Sequence, residues 1–235
     1  MDQELNDIIR SIDVEHGYAR ERLFQPKYFK LLILAFFVGL FNNLAGINGV
    51  LYYLNSIFES AGFSKASSDV QSVIIGFTNL LFTVLAMLVI DRLGRKRLLL
   101  IGSLGLAPIL FGIAAIYYFG ARQNLLLFLL IGYIAFYAFS QGAVIWVYLS
   151  EMFPNRIRNK GLAAGSFWAW TMGTVVTWLF PILTDISSAL PFVIFGTSML
   201  LQFLVVAVLF PETTGVALED MEEAMGIHSS ELRKR

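Results

Sequence analysis

The sequence predicts an all-α integral membrane fold, a six-transmembrane-helix bundle with both termini cytoplasmic. Three observations carry that prediction. Of the 235 residues, 57% are hydrophobic and only 14% charged, with a mean hydropathy of +0.70; a soluble domain carries about 25% charge. Apolar runs near the roughly 20 residues that a helix needs to span a bilayer recur six times. The basic residues, finally, alternate between the two sides of those runs, as cytoplasmic loops of membrane proteins require.

Taken in order, residues 1–27 are expected to form a cytoplasmic, partly helical linker segment, because Leu5, Ile8, Ile9 and Ile12 recur at helical spacing among acids and Arg10. A six-span half-domain is expected over 28–210. Its spans read Phe29–Ser60, Val70–Ile90, Leu98–Phe119, Leu125–Leu149, Gly161–Leu183 and Leu190–Phe210. The remaining 211–235 form a cytoplasmic tail with an acidic, helix-like run from Leu218 to Met225. No cleavable leader is predicted, since the polar start precedes an apolar run too long for one.

Fifteen of the seventeen cations fall on one side. Arg10, Arg20, Arg22, Lys27 and Lys30 precede the first span, and Arg92, Arg95, Lys96 and Arg97 follow the second. Arg156, Arg158 and Lys160 follow the fourth, and Arg233, Lys234 and Arg235 end the chain. Lys65 and Arg122 alone occupy the other side. A multi-pass protein of the cell (inner or plasma) membrane follows, with the bilayer as its solvent. Net charge is zero, no cysteine is present, and His16 and His228 lie outside the spans. No span carries an Asp, Glu, Lys or Arg near its centre, which disfavours voltage sensing and a carboxylate proton relay. No catalytic constellation, cofactor, metal or nucleic-acid partner is expected.

The first span holds the informative anomaly. Asn42, Asn43 and Asn48 stand within the run from Phe41 to Tyr53, and each unpaired amide in hydrocarbon costs roughly 2–7 kcal/mol. They must therefore face a protein interior or a water-filled cavity. An amide offers a donor and an acceptor together, which suits a ligand rich in hydroxyls. On an ideal helix Asn48 lies about 240° from Asn42 and about 140° from Asn43. One cavity can receive all three only if the helix breaks between them, and Gly46 and Gly49 supply the break. Tyr52 lies one turn beyond Asn48. Interhelical hydrogen bonding that merely joins the bundle is the competing explanation for the cluster.

Asn79, mid-way along the second span with Thr83 one turn on, is a candidate lining residue beside that cluster. In the fourth span Ser140, Gln141 and Gly142 interrupt the apolar run before Trp146, which is either an interface anchor or a cavity-facing platform. Trp168, Trp170 and Trp178 share that ambiguity, and Gln202 reads as structural. Gly161, Gly165, Ala169 and Gly173 recur every four residues in the fifth span, a ladder that lets another helix approach closely. At the cytoplasmic helix ends Asp91 and Glu151 can pair with Arg95, Lys96 or Arg158.

Four motifs together resemble the C-terminal half of a sugar porter of the major facilitator superfamily. N-N-L-A-G-I-N-G-V-L-Y-Y (Asn42 to Tyr53) resembles the seventh-helix motif Q-Q-x-S-G-I-N-x-x-x-Y-Y. D-R-L-G-R-K (Asp91 to Lys96) is similar to the eighth-to-ninth loop. W-V-Y-L-S-E-M-F-P-N-R-I-R (Trp146 to Arg158) is similar to the end of the tenth helix, and P-E-T-T-G (Pro211 to Gly215) to the signature after the twelfth. The resemblance implies that Asn42, Asn43, Asn48 and Asn79 contact sugar hydroxyls and that Trp146 lines the site. It implies a cytoplasmic gate network of Asp91, Arg95, Lys96, Glu151 and Arg158 that favours an outward-open state.

Tyr52, Trp170 and Gln141 complete the candidate substrate-binding set. The resemblance further implies a carrier with no covalent chemistry, working by alternating access on a hexose or pentose. An N-terminal six-span half, absent from this chain, would be the partner holding any proton-coupling carboxylate. Departures from the family pattern are the shorter amides at 42 and 43, Ala169 in place of an amide beside Trp170, Ala138, and Gln141–Ile145 without prolines. The alternatives are a half-transporter for another polyol or polar solute, and a non-transporting scaffold or fragment.

Overall fold

The computed structural model describes residues 21–120 and 123–215, with the side chains of Ala66, Gln123 and Asn124 outside that description. The expected helix around Leu5–Ile12 and the tail run Leu218–Met225 lie outside the described residues. Six helical spans long and apolar enough to cross a membrane are present: Pro26–Tyr52, Ser67–Leu93, Arg95–Phe119, Leu125–Glu151, Arg158–Ile186 and Leu190–Leu209. They are built from a 3-10 turn, Pro26–Tyr28, followed by α1 (Phe29–Leu44), α2 (Ile47–Tyr52), α3 (Leu54–Ser60), α4 (Lys65–Leu93), α5 (Arg95–Phe119) and α6 (Gln123–Tyr137). A π-helical turn, Ala138–Gly142, then joins α6 to α7 (Ala143–Glu151), and α8 (Arg158–Ile186) and α9 (Leu190–Leu209) complete the bundle. There is no strand among the described residues.

Packing pairs α5 most extensively with α9, and α1 with α8. The second of these contacts follows from the small-residue ladder. At Gly39 a Cβ would meet the Ala169 Cα at 3.2 Å and at Gly165 it would meet the Ala35 Cβ at 3.7 Å, while Gly165 and Gly161 also receive Leu149 of α7 and Phe153 beyond it. Backbones thus approach where side chains are missing, as in other membrane helix pairs. One face of α4, with Val73, Phe77, Leu80 and Leu88, remains exposed.

Two apolar cores result. One gathers Ala45, Val50, Phe58, Leu110, Tyr133, Phe180, Phe192 and Phe195. The other gathers Leu31, Leu98, Tyr148, Leu149, Phe153, Val206 and Phe210, toward the end that carries Asp91, Arg95 and Glu151. Between the two, along each of five spans, falls a polar or side-chain-free position: Asn42 and Asn43, Ser103, Ser140 and Gln141, Gly173, and Gln202. That middle layer positions the candidate site.

Candidate functional site

The first span breaks where its glycine allows. Gly46 adopts φ +89°, a left-handed conformation, which costs any other L-residue about 1–2 kcal/mol. The ring of Phe195 also occupies the space its Cβ would need. The break strands the carbonyl of Ala45, and the buried Tyr133 hydroxyl donates to it at 2.8 Å. Such repair of freed backbone groups is what makes a discontinuous helix tolerable within a bilayer.

Around this break the three asparagines take different roles. Asn43 is buried and donates from Nδ2 to the carbonyls of Gly39 at 2.9 Å and Ala169 at 2.8 Å. Its Oδ1 accepts from Asn48 Nδ2 at 3.0 Å. Asn48 is half-buried and keeps its second N–H and its carbonyl uncommitted among the described residues. Asn42 is held by two long bonds, donating to the Gln141 carbonyl and accepting from the Tyr137 hydroxyl, each 3.3 Å.

The π-helical turn lies where the sequence shows its polar interruption. Its Gln141 side chain reaches α9 and lines a small pocket with Asn42 and Gln202. It is 1% exposed and donates to Gln202 Oε1 at 2.8 Å and to the Met199 sulfur at 3.1 Å. Of the Gln141 groups expected to meet substrate, the backbone carbonyl binds Asn42, Nε2 joins α9, and Oε1 is buried without a partner. Gln202 is the structural partner the sequence suggested.

Trp146 and Trp170 come together, with ring centroids 6.4 Å apart and planes at 34°. Both are exposed, as is Tyr52. Trp170 precedes Gly173 by one turn of α8, and a Cβ at Gly173 would lie 2.7 Å from Asn48 Nδ2. Asn79 is not brought into the bonded cluster. It is half-buried on α4, which packs on α6 and the π-helical turn, and its backbone carbonyl accepts the Thr83 hydroxyl at 2.8 Å.

The charged end centres on one side chain. Arg95 is 7% exposed; its Nη2 pairs with Asp91 Oδ1 at 2.8 Å and Glu151 Oε1 at 2.7 Å, and its Nη1 donates to the Ile90 carbonyl and Thr214 Oγ1. Lys96 instead donates to the Ala207 carbonyl at 3.0 Å. Arg158 enters no ion pair among the described residues, and its Nε is buried without a partner. Of the five residues expected in the network, Asp91, Arg95 and Glu151 are joined by ion pairs among the described residues.

Sequence reasoning missed what completes it. Glu212 accepts from the Arg95 backbone N–H at 2.8 Å and from the Thr214 hydroxyl at 2.9 Å, and Thr213 donates to Glu151 Oε2 at 2.8 Å. Desolvation acts upward on the Glu212 carboxyl. Hydrogen bonds from Thr214, Arg95 and Lys96 outweigh it and hold the group below its ordinary value. The P-E-T-T-G motif was the available signal, but its sequence alone names no partner. No group of three or more His, Cys, Asp or Glu suited to a metal occurs among the described residues.

Comparison with known proteins decides the family. Residues 1–225 match the profile of the family described as sugar (and other) transporter. The chain belongs to that family. It is 32% identical over 223 residues to the arabinose-proton symporter of Bacillus subtilis, covering 94% of this chain and 48% of that protein. It is 36% identical to the D-xylose-proton symporter of Escherichia coli K12, covering 82% and 40%. For the glucose facilitated diffusion protein of Zymomonas mobilis the identity is 36%, covering 79% and 41%.

Among solved structures, the major facilitator superfamily proton:xylose symporter XylE bound to 6-bromo-6-deoxy-D-glucose superposes with a TM-score of 0.78 at 34% identity, covering 94% of this chain and 48% of that one. The inward-open form of XylE from E. coli gives 0.77 at 32%, covering 94% and 45%. This sugar transporter family member therefore has the major facilitator fold, and it spans about half the length of the curated relatives it matches.

Proposed function

We propose that this chain is the C-terminal, substrate-binding half of an alternating-access sugar transporter, inactive alone and performing no covalent chemistry. The observation that carries the reading is Asn48. It is an amide fixed at a helix break in the middle layer, half-exposed, with a donor and an acceptor uncommitted. Adjacent sugar hydroxyls present the matching acceptor and donor. The exposed indoles of Trp146 and Trp170 offer apolar faces for the C–H surface of a pyranose or furanose ring. Asn42, held only by 3.3 Å bonds, can exchange them for a ligand.

Relatives named for arabinose, xylose and glucose support a pentose or hexose as cargo. A second six-span half supplies the facing wall of the site, and the clustering of cations supports a cytoplasmic position for the Arg95 end in a plasma or inner membrane. The Asp91–Arg95–Glu151 cluster ties helix ends together there. Inward opening would have to separate Arg95 from Glu151, so the cluster favours the state closed at that end.

The deciding experiment is uptake of labelled xylose, arabinose and glucose into proteoliposomes. The chain is reconstituted alone, with a matching N-terminal half, and with that half as Asn48→Ala. The pair should transport, and the variant should weaken binding by about tenfold or more, from two lost hydrogen bonds of about 0.5–1.5 kcal/mol each. A pair that moves no sugar, with a variant that binds as the parent does, overturns the reading. Uptake by the chain alone would refute the claim that it needs a partner half.

A further inference from the structure

We propose that Asn43 is the positioning residue that orients Asn48, and that the bare backbone at Gly173 is the specificity-determining feature that makes room for it. The proposal rests on the sugar-binding reading and differs from the resemblance, which places Asn43 on the sugar.

The hydrogen bonds form a directed relay. Two backbone carbonyls, of Gly39 and Ala169, converge on one end of the Asn43 side chain. Carbonyls only accept, so that end must be the NH₂ group, and both of its protons are consumed. The Asn43 oxygen is thereby turned toward Asn48, which must answer with an N–H. Asn48 is left presenting its own oxygen and one remaining N–H in a fixed order. Asn43 itself has no donor left and is only 4% exposed. The order of acceptor and donor that a sugar would meet at Asn48 is therefore set by backbone carbonyls two residues away along a hydrogen-bonded chain.

Gly173 is the clearance for that relay. A Cβ there would sit 2.7 Å from Asn48 Nδ2 and 2.9 Å from Asn43 Oδ1, both inside ordinary van der Waals contact. Neither amide can yield inward. Asn43 is pinned by two carbonyls, and α2 is braced at Gly49, where a Cβ would meet Phe180 at 2.6 Å. A methyl group at 173 must push the Asn48 amide outward, toward the exposed face that Trp170 shares. The change falls on which hydroxyl is met, so it alters discrimination between sugars as well as affinity.

Two measurements in lipid nanodiscs test this, the first on the chain paired with a matching N-terminal half and the second on the chain itself. The first is equilibrium binding of D-xylose and L-arabinose, which differ only in the configuration of the hydroxyl at C4, read by tryptophan fluorescence. Asn43→Leu and Gly173→Ala should shift the ratio of the two affinities by about fivefold or more, the worth of about one hydrogen bond. Gly165→Ala, whose Cβ meets Leu149 and not an amide, should lower stability and leave the ratio alone. Asn43→Leu carries the ratio test by itself if the Gly173 variant does not fold. An unchanged ratio in every folded variant overturns the proposal.

The second measurement needs no sugar. The chain has no cysteine, so Asn43→Cys and Asn48→Cys each carry a single thiol for a small hydrophilic reagent. The thiol at 48 should react about tenfold faster or more, because reaction follows exposure. Equal rates overturn the assignment of Asn43. If the parent pair binds neither sugar, the sugar reading fails at that point, while the labelling rates still decide whether Asn43 is withdrawn behind Asn48.

Discussion

At the scale of single residues, backbone conformation and buried charge set the expected costs. Gly46 combines a φ of +89° with the Phe195 ring packed where a Cβ would stand. Gly46→Ala should destabilise the chain by about 2–5 kcal/mol, summing left-handed strain and overpacking. Thermal unfolding in detergent measures this against Gly76→Ala, a position with nothing within 4 Å of an added Cβ, which should be close to neutral. Arg95 is the second sensitive residue, its side chain 8% exposed and its Glu151 partner 24%. Arg95→Ala should cost about 3–5 kcal/mol, because it abandons a partly buried carboxylate. Asp91, whose side chain is 80% exposed, should contribute well under 1 kcal/mol. Double-mutant cycles with Glu151→Gln and with Asp91→Asn separate the two couplings.

At the scale of elements, the segment after α9 acts as a latch on the turn between α4 and α5. That turn is tight because Gly94 takes φ +87°, and a Cβ there would meet Glu212 Oε2 at 2.5 Å. Glu212 in turn caps the start of α5 by accepting from the Arg95 N–H. A carboxylate at a helix N-terminus is favoured by the dipole as well as by the bonds. The folded-state pKa of Glu212 is lowered, so its contribution is fully present above the unfolded value of about 4.3. It is lost as the pH falls below that value and through the folded one. Hydrogen exchange of Thr213 and Thr214 should therefore be slow at pH 6 and accelerate selectively, after correction for intrinsic rates, in the range below about pH 4.3. Glu212→Gln should remove most of that pH dependence.

The π-helical turn shows how an element can be legible without its role being so. Ser140, Gln141 and Gly142 mark the interruption in the sequence, and the helix widens there. Which way Gln141 points was settled by Gln202 on α9, 61 residues away. Gly161, Gly165, Ala169 and Gly173 likewise announce a close helix contact. Only the fold shares it among α1, α2, α7 and the turn after α7, and makes Gly173 the rung that touches Asn43 and Asn48.

At the scale of the whole molecule, two apolar cores are separated by a layer of amides, hydroxyls and a bare glycine. Such a layer is costly in a bilayer unless each group is satisfied internally. The bonds of Asn42, Asn43, Asn48, Gln141 and Gln202, with the Ala169 carbonyl, do most of this from four spans, and Gln141 Oε1 stays buried without a partner. Asn48 and Trp170 remain open at its edge.

What the sequence determined by itself was local: six apolar spans, a break at Gly46, a polar interruption at Ser140–Gly142, and cations gathered beyond alternate spans. Hydropathy, glycine conformation and charge act over a few residues or one helix length, so they can be read along the chain. Tertiary structure alone decided which amide stays free and which is consumed. It turned Asn43 to the Ala169 carbonyl 126 residues away and gave Arg95 the Glu212 carboxylate 117 residues away, and it left Arg158 outside the ion pairs among the described residues. Hydrogen-bond capacity belongs to a residue type, but its partner is set by which helix packs against it.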